Sequence, residues 1–335
     1  MGLKKISVNL TIFLVSLTVC LFLLDLAIGF IFPFCNPRGI LRYRYYPEDD
    51  ILLCVKGFRG RQWISSGDYN VSVRINGDGF RDKRNISDSR PVDFFVVGDS
   101  FSFGHGVDED KRYSDQLASM TGKNFFNISS PGNLLHYWKL IDYARKKGAP
   151  VNKVILGVCM ENDLFDYEAM DYKEFESGCA PSLLASVKEK LKLYSAAYNL
   201  MAYISQKNRF LKKFGNRFGI IVHTYGIIND VYPDKVMVSS ADKIGELCRL
   251  YDVTAVIIPS RGLWVGEKKE KELQAHNKFI RLLKERNINT VDLKPYLEKD
   301  GDPLSHYFKN DAHWNISGHR LAAEAIASEL KKRRQ

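Results

Sequence analysis

Residues 93–106 read DFFVVGDSFSFGHG, an apolar run followed at once by a glycine-rich polar turn. The run lacks polar alternation, which is typical of a strand buried on both faces of a parallel sheet. Ligands bind such sheets at the carboxyl edge, and Ser100 lies just past this strand. A turn or helix start there also offers unpaired N–H groups to an oxyanion. By itself the motif is equally consistent with a turn in which Asp99 caps a helix.

Apolar runs of the same kind occur four more times along the chain. They are Asn124–Ile128, Val154–Val158, Val253–Pro259 and Thr290–Leu293. Helical patterns lie near residues 113–121, 135–148, 239–251, 268–286 and 315–332. Strands that alternate with helices predict an α/β fold, a three-layer α/β/α sandwich whose parallel sheet has about five strands in a flavodoxin-like arrangement.

Two segments do not follow this alternation. Residues 35–90 are rich in Arg, Gly, Asp and Tyr and contain the alternating piece Tyr69–Ile75, which predicts a β-containing lead-in. Residues 164–238 contain Lys- and Tyr-rich helical stretches at about 182–213 and are interpreted as an insertion beside the sheet. We therefore expect the main domain to cover residues 91–335, broken by that insertion.

The amino-terminal segment carries no charge from Ile6 to Leu24, and it stays apolar to Phe34 except at Asp25. This length is sufficient for a bilayer, which needs about 20 apolar residues. It exceeds a signal-peptide core of about 7–15 residues, and no small-x-small cleavage site follows. We expect a short tail at 1–5 and an uncleaved transmembrane signal anchor at 6–34. A buried helix of a soluble core is the alternative.

The orientation of this anchor follows from the flanking charges. Lys4 and Lys5 precede the span and favour an amino terminus inside the cell, whereas Arg38, Arg42 and Arg44 after it favour the reverse. We expect the rest of the chain outside the cytoplasm, in the periplasm or at the cell surface.

Composition excludes several classes of protein. The net charge is 49 − 39 = +10, and no zinc-finger spacing or aromatic RNA-binding motif accompanies it, so no nucleic-acid partner is expected. No C-x-x-C, H-E-x-x-H, P-loop or G-x-G-x-x-G motif is present, so we expect neither a metal nor a nucleotide cofactor. Cys35 and Cys54 could pair in an oxidising compartment, although separate small apolar residues are the simpler interpretation.

A second polar cluster precedes the last helix and includes Asp311-Ala312-His313. A nucleophilic serine needs a base, and the base needs a carboxylate to orient it. A loop there returns to the same sheet edge as Ser100. Asn315 or Ser317 could cap the helix that follows.

Two more donors follow the second and third predicted strands. The Gly132 N–H ends the stretch Asn127–Gly132, and the Asn162 side-chain amide lies in Met160–Asp163. With the Ser100 N–H they could converge on an oxyanion. The four polar elements follow predicted strands one, two, three and five, an arrangement that is hard to obtain by chance.

These four blocks resemble the SGNH/GDSL hydrolase superfamily of serine esterases and related acyl-transfer enzymes, from about Asp93 to the carboxyl terminus. The resemblance implies an SGNH-hydrolase-like fold with Ser100 as nucleophile. It implies Asp311 and His313 as the rest of a catalytic triad. The implied oxyanion donors are Ser100, Gly132 and Asn162.

The chain departs from this family pattern at two places. Glu161 stands where the asparagine block usually has glycine, and Asp311 is two residues before His313 rather than three. The D-x-H form followed by Trp-Asn is similar to the SGNH-like domains of polysaccharide O-acetyltransferases. The segments Ile75–Arg81 and Ile258–Arg261 are similar to those of membrane-anchored bacterial members.

Three functions are consistent with these residues. The first is a membrane-anchored serine ester hydrolase acting on O-acyl esters of cell-envelope glycan or lipid. The second is a polysaccharide O-acetyltransferase. The third is a non-catalytic glycan-binding or assembly protein, because the Glu161 carboxylate would oppose an oxyanion unless it points away. The expected partners are therefore an acylated carbohydrate or lipid ester, the membrane, and assembly proteins of an envelope polysaccharide.

Other polar residues are interpreted as structural. We expect His105 to be a loop histidine, although it could line the pocket. His319 is expected to be structural and Arg261 to be a solvated arginine, although Arg261 could meet an anionic substrate. Asn229-Asp230 is assigned to the surface of the insertion.

Overall fold

A computed structural model of the chain describes residues 2–64, 66–168, 187, 190, 191, 194–208 and 232–333. Its strands are β1 (Tyr43–Tyr46), β2 (Ile51–Cys54), β3 (Arg59–Trp63), β4 (Asn70–Arg74), β5 (Phe94–Val97), β6 (Phe125–Asn127), β7 (Lys153–Cys159), β8 (Asp252–Ile258) and β9 (Thr290–Asp292). Its α-helices are α1 (Gly2–Ile31), α2 (Ser100–Phe103), α3 (Tyr113–Thr121), α4 (Leu134–Lys146), α5 (Ala196–Lys207), α6 (Asp234–Leu250), α7 (Lys269–Glu285), α8 (Lys294–Leu297) and α9 (Ile316–Lys332).

The central sheet has five strands in the order β6-β5-β7-β8-β9, and every neighbouring pair is parallel. Each of the five predicted apolar runs forms one of these strands, and β5 is buried along its whole length. The predicted α/β fold with a flavodoxin-like strand order is confirmed. Since all five strands are parallel, their carboxyl ends meet at one edge.

Helices cover both faces of this sheet. Residues of α4, α6 and α7 pack with Phe95 and Val97 in one apolar cluster. Residues of α3 and α9 pack with Phe94 and Val96 in another cluster on the opposite face. Alternate residues of one strand thus serve two cores, which explains why the run is continuously apolar.

Helix α6 begins at Asp234, five residues before the predicted start near 239. Pro233 precedes it with φ −57°, and Asp234 lies in the first turn, where an acidic residue is favourable next to the helix dipole. The predicted insertion is therefore interrupted by α6 before residue 238. Of the residues within it, 169–186 and 209–231 lie outside the described part of the chain, and so does Asn229-Asp230.

The segment before the main sheet contains two small sheets. Strands β1 and β2 form an antiparallel hairpin, and β3 pairs with β4 in a second two-stranded sheet. Strand β4 covers most of the predicted alternating piece Tyr69–Ile75. The β-containing lead-in thus has the secondary structure that its alternation indicates.

The chain divides into two compact units. One comprises residues 41–62, 71–178 and 224–335 and contains the five-stranded sheet. The other comprises residues 1–40, 63–70 and 179–223 and contains α1 and α5. Within α1, Val8–Ile31 is long and apolar enough to cross a membrane, with mean hydropathy 2.5. Cys35 and Cys54, considered as a possible pair from the sequence, are each buried free thiols.

Two glycines allow β5 and β7 to lie close to a buried serine. A Cβ at Gly157 would lie 2.2 Å from Ser102 Oγ, and one at Gly98 would lie 2.3 Å from the same atom. Ser102 is fully buried and accepts a hydrogen bond of 2.8 Å from the Tyr113 hydroxyl. No side chain larger than hydrogen fits at either position without moving this serine.

We predict that Gly157→Ala destabilises the protein by about 1–3 kcal/mol, the usual cost of overpacking a core. Ser102→Ala removes the oxygen that clashes but leaves the Tyr113 hydroxyl without its partner. The double variant should therefore lose less stability than the sum of the two single changes, measured by thermal denaturation in detergent. Additive losses would contradict this contact.

Candidate active site

Ser100 is the first residue of α2, directly after the central strand β5. Asp99 precedes it as the helix N-cap, and its Oδ1 accepts the Phe101 N–H at 2.9 Å. Asp99 is 1% exposed. Burial raises the pKa of Asp99 to about 6, against the opposing charge of His313 and the N–H groups at the helix start. The cap and the serine predicted from the same motif therefore occur together.

His313 lies within hydrogen-bond distance of Ser100 on one side and Asp311 on the other. Its Nε2 is 2.7 Å from Ser100 Oγ, and its Nδ1 contacts Asp311 Oδ1. The same carboxylate oxygen accepts the His313 backbone N–H at 2.8 Å. Because a carboxylate accepts at Nδ1, the proton of the neutral ring lies there, and Nε2 is left to accept the serine proton.

The electrostatics of Asp311 favour its ionised form. Burial raises its pKa, but the hydrogen bond and charge of His313 outweigh this effect and hold the pKa of Asp311 below its usual range. A permanently negative Asp311 stabilises an imidazolium at His313.

A short turn holds this pair in place. The Phe308 N–H donates to the His313 carbonyl at 3.0 Å, and Trp314 is completely buried against Phe101, with ring centroids 4.8 Å apart. Asn315 caps α9 as predicted, since its side chain accepts the N–H groups of Ser317 and Gly318. The loop position of His313 is therefore anchored on both sides.

Gly132 and Asn162 follow the two strands that flank β5. Gly132 lies after β6 and Asn162 after β7, and both residues are exposed. The Ser130 N–H donates to the Gly98 carbonyl at 3.2 Å, which ties the glycine block to the serine block. The structure thus places both residues at the edge that carries Ser100. Their role as oxyanion donors stays a prediction.

Asp163 fixes the loop that carries Asn162. It is fully buried, and the Tyr137 hydroxyl donates to its carboxylate at 2.9 Å. The Cys159 N–H donates to it at 2.7 Å. Burial, and then the charge of Asp99, raise the pKa of Asp163 well above its ordinary value. This aspartate ties the end of β7 to α4, the helix that follows Gly132.

Glu161 forms an ion pair with Arg261. Its carboxylate accepts the Arg261 backbone N–H at 2.7 Å and the guanidinium Nε at 3.1 Å. Both side chains are 13% exposed, so the expectation of a solvated arginine at 261 is wrong. The charge that stands in place of the usual glycine is compensated by a partner from the end of β8.

His105 stacks directly on the His313 ring, with centroids 4.1 Å apart and planes inclined by 19°. The interpretation of His105 as an ordinary loop histidine therefore missed its position in the site. Burial, and then the charge of His313, lower the pKa of His105 well below its ordinary value. Its ring is thus a neutral neighbour of the imidazole that contacts Ser100.

Gln62 determines the tautomer of His105. Gln62 Oε1 accepts the Gly106 N–H at 2.9 Å, which orients the amide so that Nε2 faces His105 Nδ1 at 2.8 Å. An amide NH₂ can only donate, so His105 Nδ1 is an acceptor and the proton lies on Nε2. No local motif signals Gln62, because it lies 43 residues before His105.

Arg81 braces the loop that carries His105. It is fully buried and donates to the carbonyls of Gly104 and Val107, the latter at 2.6 Å. A Cβ at Gly104 would lie 2.3 Å from the side chain of the neighbouring Arg112. His319, expected to be structural, is buried and stacks on Tyr113, and its pKa falls to about 3 mainly through burial.

One set of described side chains has the composition of a metal site. Ligand atoms of His105, Asp311 and His313 all lie within 4.8 Å of one another. Both nitrogens of His313 already lie within hydrogen-bond distance of Asp311 and Ser100. A metal ion bound through His313 would have to replace one of these contacts.

Comparison with known proteins finds a family model that matches the carboxyl-terminal part of the chain. Residues 254–335 match the model of the SGNH hydrolase-like domain of the acetyltransferase AlgX. This match covers the segment from β8 through the His313 loop to α9, and the remaining blocks lie in the expected order on the same sheet. The matched residues make up about a quarter of the chain, and the similarity to this family is established for that segment. No curated protein sequence matches the chain.

Solved structures with a partly similar trace include a member of a lipolytic family and an acetylxylan esterase. One is a member of the lipolytic G-D-S-L family from Veillonella parvula, with 12% identity, TM-score 0.39, and coverage of 70% of this chain and 96% of that chain. Another is a catalytic mutant of the acetylxylan esterase Axe2 from Geobacillus stearothermophilus, with 11% identity, TM-score 0.38, and coverage of 73% and 96%.

We predict that Asp99→Asn stabilises the protein more at pH 7.5 than at pH 4. The folded-state pKa of Asp99 is about 6. The unfolded chain therefore ionises at lower pH, and the wild type loses up to about 1.4 kcal/mol per pH unit between roughly pH 4 and 6. Asparagine keeps the cap without this loss. Thermal melts of both proteins across this range measure the difference in stability. A difference that does not change with pH would contradict a buried Asp99 carboxyl with a raised pKa.

We predict that Gln62→Glu slows ester turnover and moves its pH profile. Glutamate can still accept the Gly106 N–H, but its charge at Nδ1 raises the pKa of His105. A positive ring stacked on His313 weakens the base, so the acid limb of kcat/KM shifts down by about one pH unit or more and the plateau falls. Gln62→Leu, which removes the Gly106 contact instead, is the structural control. An unchanged profile in Gln62→Glu would refute this coupling.

Proposed function

We propose that the protein is a serine ester hydrolase of the SGNH type that acts by acyl transfer through Ser100. The observation that carries this proposal is the 2.7 Å contact between Ser100 Oγ and His313 Nε2, with Asp311 behind the ring. A hydroxyl, an imidazole and a carboxylate in this order are what an activated serine requires.

In the proposed reaction His313 takes the Ser100 proton as the oxygen attacks an ester carbonyl. The tetrahedral intermediate collapses with loss of the alcohol, which receives the proton from His313, and an acyl-serine remains. An acceptor hydroxyl then repeats the steps in reverse and carries the acyl group away. Asp311 keeps the proton of neutral His313 at Nδ1 throughout.

The oxyanion of each intermediate would be bound by the Ser100 N–H, the Gly132 N–H and the Asn162 amide. Ser100 stands at the start of α2, where N–H groups have no partner within the helix. Loss of one such donor typically costs about 2.7–4 kcal/mol of transition-state stabilisation. Asn162 is the donor whose side chain can be replaced, so its variants report on this role.

Transfer of the acyl group to a polysaccharide hydroxyl is the second candidate. The match of residues 254–335 to the domain of an acetyltransferase favours it. The chemistry at Ser100 is the same in both cases, and the two functions differ only in whether water or a sugar hydroxyl accepts the acyl group.

The surroundings of Glu161 argue against a non-catalytic role. That role would follow if the Glu161 carboxylate had no positive partner near the oxyanion position. The ion pair with Arg261 supplies a positive partner at 3.1 Å, so this residue does not by itself oppose negative charge.

The proposed substrate is an O-acyl ester of a cell-envelope glycan or lipid, and the proposed location is the outer face of the cytoplasmic membrane. The apolar span Val8–Ile31 would anchor the chain. Envelope polysaccharide and its assembly proteins would then be the partners within reach.

We predict that Ser100→Ala lowers turnover of p-nitrophenyl acetate by at least about a thousandfold, because it removes the nucleophile. Ser102→Ala is the matched control, since its hydroxyl faces Tyr113 rather than His313. The control should retain turnover in proportion to its folded fraction. Full activity in Ser100→Ala would end the proposal.

The acceptor is identified in the same assay by product analysis. With acetylated donor and envelope glycan present, a hydrolase releases free acetate at the same rate with or without glycan. A transferase forms acetylated glycan and releases less acetate. Glycan acetylation that disappears in Ser100→Ala would establish the second candidate in place of the first.

A further inference from the structure

Asp25 caps the first turn of α5 within the smaller unit. Its Oδ1 accepts the Ser195 hydroxyl at 2.7 Å and the Ala197 N–H at 2.9 Å. Its Oδ2 accepts the Ala196 N–H at 3.3 Å. Asp25 is the one charged residue between Val8 and Ile31, and its charge faces the positive end of a helix. The contact joins α5 to the carboxyl-terminal part of α1.

The position of Asp25 along α1 gives the depth of this contact. A hydrocarbon core of about 30 Å takes about 20 helical residues at 1.5 Å each. Counted from Ile6, just after the two lysines, these end at Asp25. The remaining turns of α1 would then lie in the headgroup region. Helix α5, bound at Asp25, would begin at the boundary between hydrocarbon and headgroups.

The helical residues near this boundary expose an apolar stripe. Its members are all exposed: Val187, Leu191 and Tyr194 recur at helical spacing before Ser195, and Met201 and Ile204 do so within α5. Met201 is 69% and Tyr194 72% exposed. Side chains three or four positions apart share one face of a helix, so each of these two groups presents one apolar face.

An aromatic cluster lies in the same unit. Phe34 packs against Trp63 with ring centroids 5.8 Å apart and against Tyr203 at 5.1 Å. Trp and Tyr are enriched where membrane proteins cross the interface between lipid and water. Tyr203 belongs to α5, so the helix carries part of this cluster.

The charge of this segment is complementary to anionic lipid. Residues 182–213 contain seven Lys or Arg residues and one acidic residue, Glu189. Juxtamembrane basic residues bind anionic headgroups, and an apolar face combined with basic residues is typical of helices that lie in the interface.

We propose that α5 and the described residues Val187, Leu191 and Tyr194 before it form a surface that binds the lipid bilayer, held to the anchor by Asp25. The occupant of the apolar stripe is the headgroup and upper acyl region of a membrane that contains anionic lipid. This proposal rests on the membrane anchoring included in the proposed function. It assigns a role to Asp25 and to the described helices of the insertion.

The test uses the full chain in liposomes of phosphatidylcholine and phosphatidylglycerol. Cys20, Cys179 and Cys248 are replaced by alanine, while the buried Cys35, Cys54 and Cys159 remain. Single variants Met201→Cys, Val15→Cys and Leu250→Cys receive an environment-sensitive fluorophore. Lipids carry a quencher either near the headgroup or deep in the acyl chain. The protein with these three replacements and no introduced cysteine measures labelling of the remaining thiols.

The label at residue 201 should be quenched by the shallow quencher at least about twice as strongly as the label at residue 250, as expected for an interfacial helix. Leu250 is the matched control, because it is an apolar residue with a similar exposure of 62% in the other unit. The label at residue 15 should respond to the deep quencher. Quenching at residue 201 should weaken when phosphatidylglycerol is omitted.

Failure of membrane anchoring and failure of the lipid-binding surface give different results. If residue 15 is quenched and residue 201 only matches residue 250, the anchor stands and the lipid-binding surface is refuted. If residue 15 is not quenched, anchoring fails and this proposal fails with it. A label at residue 201 that is shielded from both lipid and aqueous quencher would show a protein on this surface and would also refute it.

A separate variant tests the role of Asp25. Asp25→Leu removes the acceptor of three hydrogen bonds at the start of α5 while keeping the span apolar. Quenching at residue 201 should fall to the control value, and turnover of a soluble ester should remain unchanged. Undiminished quenching would refute Asp25 as the attachment point of this helix.

Discussion

A hydrogen bond between Ser100 and His313 joins residues 213 positions apart, and the described site is arranged around it. It requires that β5 end at the centre of the sheet and that the loop before α9 return to the same edge. The parallel order of five strands meets the first condition. Buried Trp314 and the Asn315 cap meet the second, because they fix the loop immediately after His313. The same packing that stabilises the core therefore also sets the geometry of the site.

Buried charge around this bond is compensated almost everywhere by a specific partner. Glu161 is paired with Arg261, and Arg81 donates to loop carbonyls. Unpaired charges in such surroundings would be expensive, and partners of this kind hold loops in single conformations. Asp99 and Asp163 differ, since burial raises the pKa of both carboxyls, that of Asp99 to about 6. The result is a site in which the His313 imidazole contacts the serine hydroxyl, while stacked His105 stays neutral.

Much of the fold follows from the sequence because its signals are local. Apolar runs predicted all five strands, and the end of each strand predicted where Ser100, Gly132 and Asn162 lie. Contacts between distant segments were not predictable in this way. Gln62 and His105 meet through an amide whose orientation depends on Gly106, and Glu161 meets Arg261 across two strand ends. Neither pair is separated in the sequence by a spacing that indicates a contact. The start of α6 at Asp234 was missed because its first turn carries few apolar residues.

Hydrolysis and transfer place the same demands on Ser100, so the central claim concerns its reactivity rather than the acceptor. Mass spectrometry of the full chain after reaction with a fluorophosphonate tests that claim most directly. One adduct should form, on Ser100, and replacing His313 by alanine should slow its formation by orders of magnitude. An adduct on a different serine, or a rate that does not depend on His313, would contradict the account.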